Sequence, residues 1–284
     1  MNNLLSAIGL GFQINNKHLL QDASLDIKPG EVTVILGPNG AGKSTFMKLL
    51  CGDLSSSTGF ITLDGNSAQS IDRRSMAQRR AMMPQSSNVV FPFSVYEIVM
   101  MGRSPYVSGS ETLHDQQIVK TAMQCTGVSD LVVRNYNTLS GGEQQRVQLA
   151  RVLTQIWSDG NGVNEAARYL LLDEPVASMD LAHQHETLRI AKQFAQRNVG
   201  VLIILHDINL AAMYADRIAI FQSGKIVRQG KPTDVFDQEL ISDVFGIEVL
   251  LSEHPTLGCP LMVSLPKPIS HSTNQIDNYH AGVA

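Results

Sequence analysis

A chain of 284 residues is long enough for one large domain or two lobes that share a core. Hydrophobic residues make up 43% and charged residues 17%, a balance that excludes a disordered chain. The net charge of −4 supplies no overall field to attract nucleic acid, and none is expected as a partner. Cys51, Cys125 and Cys259 stand at unrelated spacings. They form neither a disulfide framework nor a zinc pattern, which points to a reducing cytosol. The start, Met1-Asn2-Asn3-Leu4-Leu5, has no basic segment leading into a long apolar run, so no signal peptide is predicted. Nowhere does an apolar run approach the roughly 18 residues that a membrane-spanning helix needs.

In chain order, Glu31 to Leu36 is a nearly unbroken apolar run rich in β-branched residues. It predicts a strand buried on both faces, as in a parallel sheet. A glycine-rich turn follows over 37–42, and a helix is predicted over Lys43 to Cys51, packing through Phe46, Met47, Leu49 and Leu50. Thr58 to Gly65 predicts a strand ending in a turn, part of a smaller antiparallel sheet with residues near the N-terminus. The pattern then becomes helical. Ser94-Val95-Tyr96-Glu97 has capping-box spacing and opens a helix continuing to Gly102. Ile118, Val119, Ala122 and Met123 mark a second helix within His114 to Thr126. Val147, Ala150, Leu153, Ile156 and Trp157 mark a third. A helical lobe is therefore predicted over about 86–158. A polar, Gly/Asn-rich surface loop follows from Ser158, and buried-strand patterns return at Tyr169 to Leu172 and Val199 to Leu205. The polar tail from about 266 lacks periodicity and is expected to be mobile.

The turn reads Gly37-Pro38-Asn39-Gly40-Ala41-Gly42-Lys43-Ser44-Thr45 and matches G-x-x-x-x-G-K-[ST], the P-loop. Its glycines let backbone N–H groups wrap phosphates, and the helix that follows aims its positive end at them. Lys43 then reaches the β- and γ-phosphates, and the Ser44 hydroxyl serves a Mg2+ ion. Asp173-Glu174 directly follows the apolar run ending at Leu172, which places both carboxylates at the ligand-binding edge of a parallel sheet. Asp173 suits the Mg2+ shell, and Glu174, pointing elsewhere, suits the base that takes a proton from the attacking water. Ser140-Gly141-Gly142-Glu143 opens the third helix with capping spacing, but a plain cap does not account for two glycines at a helix start.

Leu139-Ser140-Gly141-Gly142-Glu143-Gln144-Gln145-Arg146 resembles the signature motif of ATP-binding-cassette (ABC) ATPases. The resemblance covers nearly all of residues 1–235. It implies an α/β P-loop NTPase fold with a mostly parallel core sheet, an antiparallel β subdomain and an inserted helical subdomain, and leaves 236–284 as a C-terminal extension. It also implies a head-to-tail homodimer, with each ATP held between the P-loop of one copy and Ser140-Gly141-Gly142 of the other. By the same resemblance Gln85, in Met83-Pro84-Gln85, matches the glutamine that senses Mg2+ and the attacking water. His206, in Leu205-His206-Asp207, matches the switch histidine that holds the γ-phosphate, and Asp180 matches the D-loop. Two positions depart from the pattern. The aromatic residue that stacks on adenine in the family aligns with Ile14, with Phe12 as a substitute nearby, and the D-loop reads Val-Ala-Ser-Met-Asp.

The sequence carries no fused membrane domain, which in this family is typical of bacterial importers with a separate permease. The stretch Phe91 to Tyr106 resembles the branch serving iron-siderophore, cobalamin and haem uptake. The added loop over 158–168 and Asp180-Leu181-Ala182-His183-Gln184-His185 resemble haem (hemin) importer ATPases. The implied assembly is a homodimer beneath two permease copies on the cytoplasmic face of the inner membrane, with a periplasmic binding protein acting indirectly. His183 and His185 are two apart on a predicted helix and diverge, which fits a solvated or dimer-facing surface better than a shared haem site. The methionine pairs Met82-Met83 and Met100-Met101 are expected in the core or against the permease. Two other readings stand beside this one. A non-transport ABC ATPase lacks its usual coiled-coil or zinc insertions here, and a P-loop GTPase or small-molecule kinase lacks the guanine-reading motif and a lid.

Overall fold

The computed structural model describes residues 4–86, 89–107, 109–158 and 166–266. Most of the loop expected over 158–168, and the tail expected to be mobile from about 266, lie outside the described residues. The elements begin with β1 (Leu5–Ile14), β2 (Lys17–Ile27), β3 (Val32–Leu36), α1 (Lys43–Cys51), β4 (Thr58–Leu63), β5 (Asn66–Ser67), α2 (Arg73–Arg79) and β6 (Arg80–Met83). The helical lobe contributes α3 (Val95–Met100), α4 (Leu113–Cys125) and α5 (Gly141–Gln155). There follow β7 (Arg168–Asp173), α6 (Leu181–Ala195), β8 (Val199–Ile204), α7 (Ile208–Tyr214), β9 (Arg217–Gln222) and β10 (Lys225–Gly230). The chain then forms α8 (Pro232–Val235), α9 (Gln238–Phe245), β11 (Val249–Glu253) and β12 (Pro260–Ser264).

The central sheet has six strands in the order β10-β9-β3-β8-β7-β6. All its pairings are parallel except that of β9 with β10. Every residue of β3 and β8 is buried, as the continuous apolar runs predicted for strands covered on both faces. Alternation divides the side chains between two cores. Val34, Leu170, Leu172, Val201 and Ile203 face the layer built by α5, α6 and α7. Ile35, Leu171, Leu202 and Ile204 face α1 and the antiparallel sheet β2-β1-β4-β5. The smaller sheet predicted from Thr58 onward is therefore present. Its strands pack over the P-loop helix.

The first core does not stop at residue 235. Phe236, Ile241, Val244 and Val249 are buried in it, and Leu251 and Met262 pack against it. The segment 236–264 is thus tied to the sheet through its apolar face.

The helical lobe has its own core, built from Val95, Ile98, Val99, Val119, Ala122, Met123, Val147 and Ala150. Its helices start where the side chains dictate. Ser94 with Glu97, Thr112 with Asp115 and Ser140 with Glu143 each form a complete capping box. Met83 and Met100 are buried in core positions, whereas Met101 is exposed. The buried Arg103 joins the layers of the lobe. Its guanidinium donates to Asp115 Oδ1 and to the Thr154 carbonyl, both at 2.8 Å. Beside it, Gly102 lies so close to α5 that an added methyl would overlap the Arg151 carbonyl and the Thr154 hydroxyl. That contact seats the helix whose first turn carries Ser140 to Gly142. Gly102→Ala should therefore overpack the lobe and cost about 1–3 kcal/mol, seen as a lower urea midpoint with the denaturant slope unchanged.

Candidate active site

The parallel register brings four strand ends to one edge. Ile35 of β3 and Asp173 of β7 both pair with Ile204 of β8, and Met83 of β6 pairs with Leu172 of β7. Counting on two residues sets Gln85 level with Glu174, and His206 stands just past the end of β8. The cleft at this edge, about 490 Å³, is lined by Leu19, by 39–45, and by Gln85, Glu174 and His206.

The P-loop is shaped for an anion. Gly42 is the N-cap of α1 at φ 99°, has no side-chain cap, and is followed by no acidic residue in the first turn. The first N–H groups of α1 are therefore available, at the positive end of the helix, to a negatively charged group. A side chain at Gly42 would also press on the Leu19 carbonyl, 2.7 Å from an added Cβ. Lys43 is buried and folds back along the loop, donating to the Gly37 carbonyl at 2.8 Å and the Pro38 carbonyl at 3.0 Å. Burial pushes its ammonium pKa down, while Glu174 and Asp173 pull it up.

Asp173 is the last residue of β7 and 3% exposed. Its Oδ1 accepts a long bond from Ser44 Oγ, 3.4 Å. Burial moves its carboxyl pKa upward, opposed by the Ser44 hydroxyl and reinforced by Glu174. A buried carboxylate beside a hydroxyl, both hard oxygen donors, fits a Mg2+ ion shared with phosphate oxygens. Among the described residues no group of three or more His, Cys, Asp and Glu forms a metal cage. An ion here would need its remaining ligands from the substrate or water.

Glu174 turns the chain away from the sheet at φ 52°, a left-handed conformation costing a non-glycine residue on the order of 1–3 kcal/mol. Its carboxylate takes different partners from that of Asp173. Both of its oxygens are engaged: Gln85 Nε2 donates to Oε2 at 2.7 Å, and His206 Nε2 lies 2.5 Å from Oε1. The Glu174 side chain is 12% exposed and that of His206 46%.

The ABC transporter family matches residues 20–177 of this chain. The chain belongs to that family. The hemin import ATP-binding protein HmuV of Gloeobacter violaceus is 47% identical over 262 residues, spanning 92% of this chain and 94% of that protein. Its counterpart from Pseudomonas aeruginosa is 44% identical over 261 residues, spanning 92% of this chain and all of the relative. Among solved structures, a metal-chelate type ABC transporter in an inward-facing conformation is 26% identical, with a TM-score of 0.77 over 94% of this chain and 99% of that one. A dimeric bacterial ABC cassette, 21% identical, shares the fold with a TM-score of 0.69 over 80% of this chain and 98% of that one.

Within this cassette the signature residues stand outside the cleft. Ser140, Gly141 and Gly142 open α5 in the helical lobe, and Ser140 Oγ lies 2.8 Å from Glu143 Oε2. The glycines make room for the D-loop of the same chain: a Cβ at Gly142 would come 3.1 Å from the Ser178 carbonyl, and Ser178 N donates to Gln145 Oε1 at 3.3 Å. Asp180 is the N-cap of α6 and also lies outside the cleft, its Oδ1 accepting from His183 N at 2.9 Å. His183 Nδ1 meets the same carboxylate, whereas His185 Nδ1 meets Tyr214 OH at 2.9 Å. The two imidazoles serve different elements.

Ile14 is 48% exposed at the end of β1 and does not line the cleft, and Phe12 packs against the inner core. The large apolar side chain at the cleft is Leu19. Neither residue of the sequence-predicted adenine contact, Ile14 or Phe12, reaches the cleft, and no motif in the sequence marks Leu19.

Burial of the Asp173 carboxylate has a measurable consequence. Its folded pKa lies above its unfolded value, so its charge opposes folding, fully so once pH exceeds the folded pKa. The cost appears as pH rises from about 4, the ordinary carboxylate value. At neutral pH Asp173→Asn should raise the melting temperature of the nucleotide-free protein by roughly 2–4 °C, measured by calorimetry without Mg2+.

Proposed function

We propose that this cassette is the ATP-hydrolysing subunit of a bacterial haem importer and works as a homodimer beneath two copies of a separate permease. The observation that supports hydrolysis most directly is the arrangement at Glu174: a carboxylate bonded on both oxygens at the rim of a phosphate-shaped cleft. In this reading the phosphates of ATP occupy the cleft formed by 37–45, and the first N–H groups of α1 receive them. Lys43 exchanges the Gly37 and Pro38 carbonyls for phosphate oxygens. Ser44, Asp173 and Gln85 would hold Mg2+, which would supply charge neutralisation for the phosphates. Leu19, the large apolar side chain of the cleft, is the candidate contact for the nucleoside. Glu174 takes a proton from the attacking water as the bond between the γ-phosphorus and the bridging oxygen breaks, giving ADP and phosphate. His206 leaves Glu174 to hold the γ-phosphate.

Ser140, Gly141, Gly142 and Asp180 do not line their own chain's cleft, which supports their serving the partner's. A groove of about 820 Å³ between the β lobe and the helical lobe, lined by Phe60, Met82, Pro84 and Arg151, is proposed to seat a cytoplasmic helix of the permease. It adjoins β6 and Pro84, just before Gln85, so docking there and water positioning share one lever. No helix among the described residues is long and apolar enough to cross a membrane, which fits peripheral attachment at the cytoplasmic face. A periplasmic protein would deliver haem to the permease, and the substrate would never touch this chain. The hemin-importing relatives support haem as cargo, while the metal-chelate transporter of similar fold keeps a ferric siderophore or cobalamin as the second reading.

Glu174→Gln should lower the kcat for ATP about 10²- to 10⁴-fold while ATP binding persists and a nucleotide-bound dimer accumulates on gel filtration. Normal turnover in that variant would refute the assignment. Uptake of haem, ferric siderophore or cobalamin into vesicles carrying the complex decides the cargo.

A further inference from the structure

In the proposed cycle His206 must change partners, so the parts that fix its position set the rate. Leu205, His206 and Asp207 join β8 to α7. Upstream the segment is locked into the sheet, with Leu205 N donating to the Ile35 carbonyl at 3.2 Å. Downstream it is held by α7, a helix of seven residues and too short to be stable without packing. Asp207 caps that helix by accepting from Leu210 N at 2.9 Å.

The next tie comes from the C-terminal segment. The Asn209 carboxamide donates through Nδ2 to the Met262 carbonyl at 3.1 Å and accepts through Oδ1 from Met262 N at 2.8 Å. One side chain thus satisfies both backbone groups of a strand residue 53 positions away. The hairpin is itself anchored: Val249 is fully buried in the main core, Leu251 and Met262 pack against that core, and His254 N donates to the Cys259 carbonyl at 2.8 Å to close the turn. Leu210, beside Asn209, lines a pocket of about 120 Å³ whose other walls include Glu174, His206 and Asp207. The hairpin therefore reaches the catalytic edge through a single turn of α7.

We propose that Asn209 is a positioning residue: by docking the hairpin β11–β12 onto α7 it fixes where His206 stands relative to Glu174. Residues 249–264 then govern the hydrolysis rate without touching nucleotide. The inference rests on the γ-phosphate role given to His206 above, and its effect belongs on kcat, since the P-loop that binds ATP lies on the other side of the cleft.

The test uses the full chain with MgATP. Misplacing a reacting group by about 1 Å costs up to about 10²-fold, so Asn209→Leu should lower kcat about tenfold with KM for ATP within about twofold of wild type. Asn209→Asp keeps the acceptor for Met262 N–H and loses the donor, so it should fall in between; it also carries the test if the leucine variant fails to fold. The imidazole proton signal of His206, assigned by its absence in His206→Ala, should move in both Asn209 variants. Normal kcat and an unmoved histidine signal in the Asn209 variants, beside an inactive His206→Ala, would overturn the positioning role and leave the histidine reading intact. Normal turnover in His206→Ala would overturn both, and that variant alone reveals it. A double variant Asn209→Leu/His206→Ala no slower than His206→Ala supports action through the histidine; a further tenfold loss places the action elsewhere.

Discussion

Glu174 is held from two sides by residues on two different strand ends, and most of the fold can be understood as what makes that possible. Gln85 arrives from β6, the edge strand, and His206 from β8, with β7 between them. A register slip of one residue in either pairing would turn every side chain of a strand to the opposite core. The alternation of Leu170 and Leu172 against Tyr169 and Leu171 therefore fixes the level of the carboxylate as firmly as any contact at the site. Glu174 itself takes a positive φ at the point where the chain leaves β7. Local strain is tolerated there because the sheet on both sides over-determines the backbone.

The charged groups of the cleft are arranged at some cost to the nucleotide-free fold. Lys43 is buried and turned onto loop carbonyls, and Asp173 is buried with a single long hydrogen bond. Burial acts on the two in opposite directions, pushing the lysine down and the carboxyl up, and both shifts disfavour the charged form. A ligand bringing negative phosphates to Lys43 and a cation to Asp173 relieves both penalties together. In the proposed function, binding and stability are thereby coupled.

How much of this was legible depends on range. The P-loop, the acidic pair after Leu172 and the capping boxes at Ser94 and Ser140 are written in contiguous residues, and each lies where its spacing places it. The strands buried on both faces were legible because an unbroken apolar run has few other solutions. The C-terminal part was not. Helix α9 has only eight residues, and the pairing of Asn209 with Met262 leaves no periodic trace at either position. Leu19 escaped for a similar reason: what makes it a cleft residue is the approach of its carbonyl to Gly42, a contact between distant segments.

The signature turn shows why one chain holds only part of the proposed machine. Ser140 already has local partners, since its backbone N–H and its hydroxyl both donate to Glu143 and the hydroxyl also accepts from Glu143 N. The Glu143 carboxyl is held below its ordinary range by those bonds, the backbone one foremost. Such a box keeps the helix start ordered while it is exposed to water. In the proposed dimer an incoming phosphate would meet the first N–H groups of α5 at the positive end of that helix, with two glycines in place of side chains, and would also meet the negative charge of Glu143. In that dimer, repulsion from the carboxylate would be weakened once Lys43 and a cation on the facing copy had neutralised part of the phosphate charge. The proposed function therefore has the P-loop fill first and the signature turn close second.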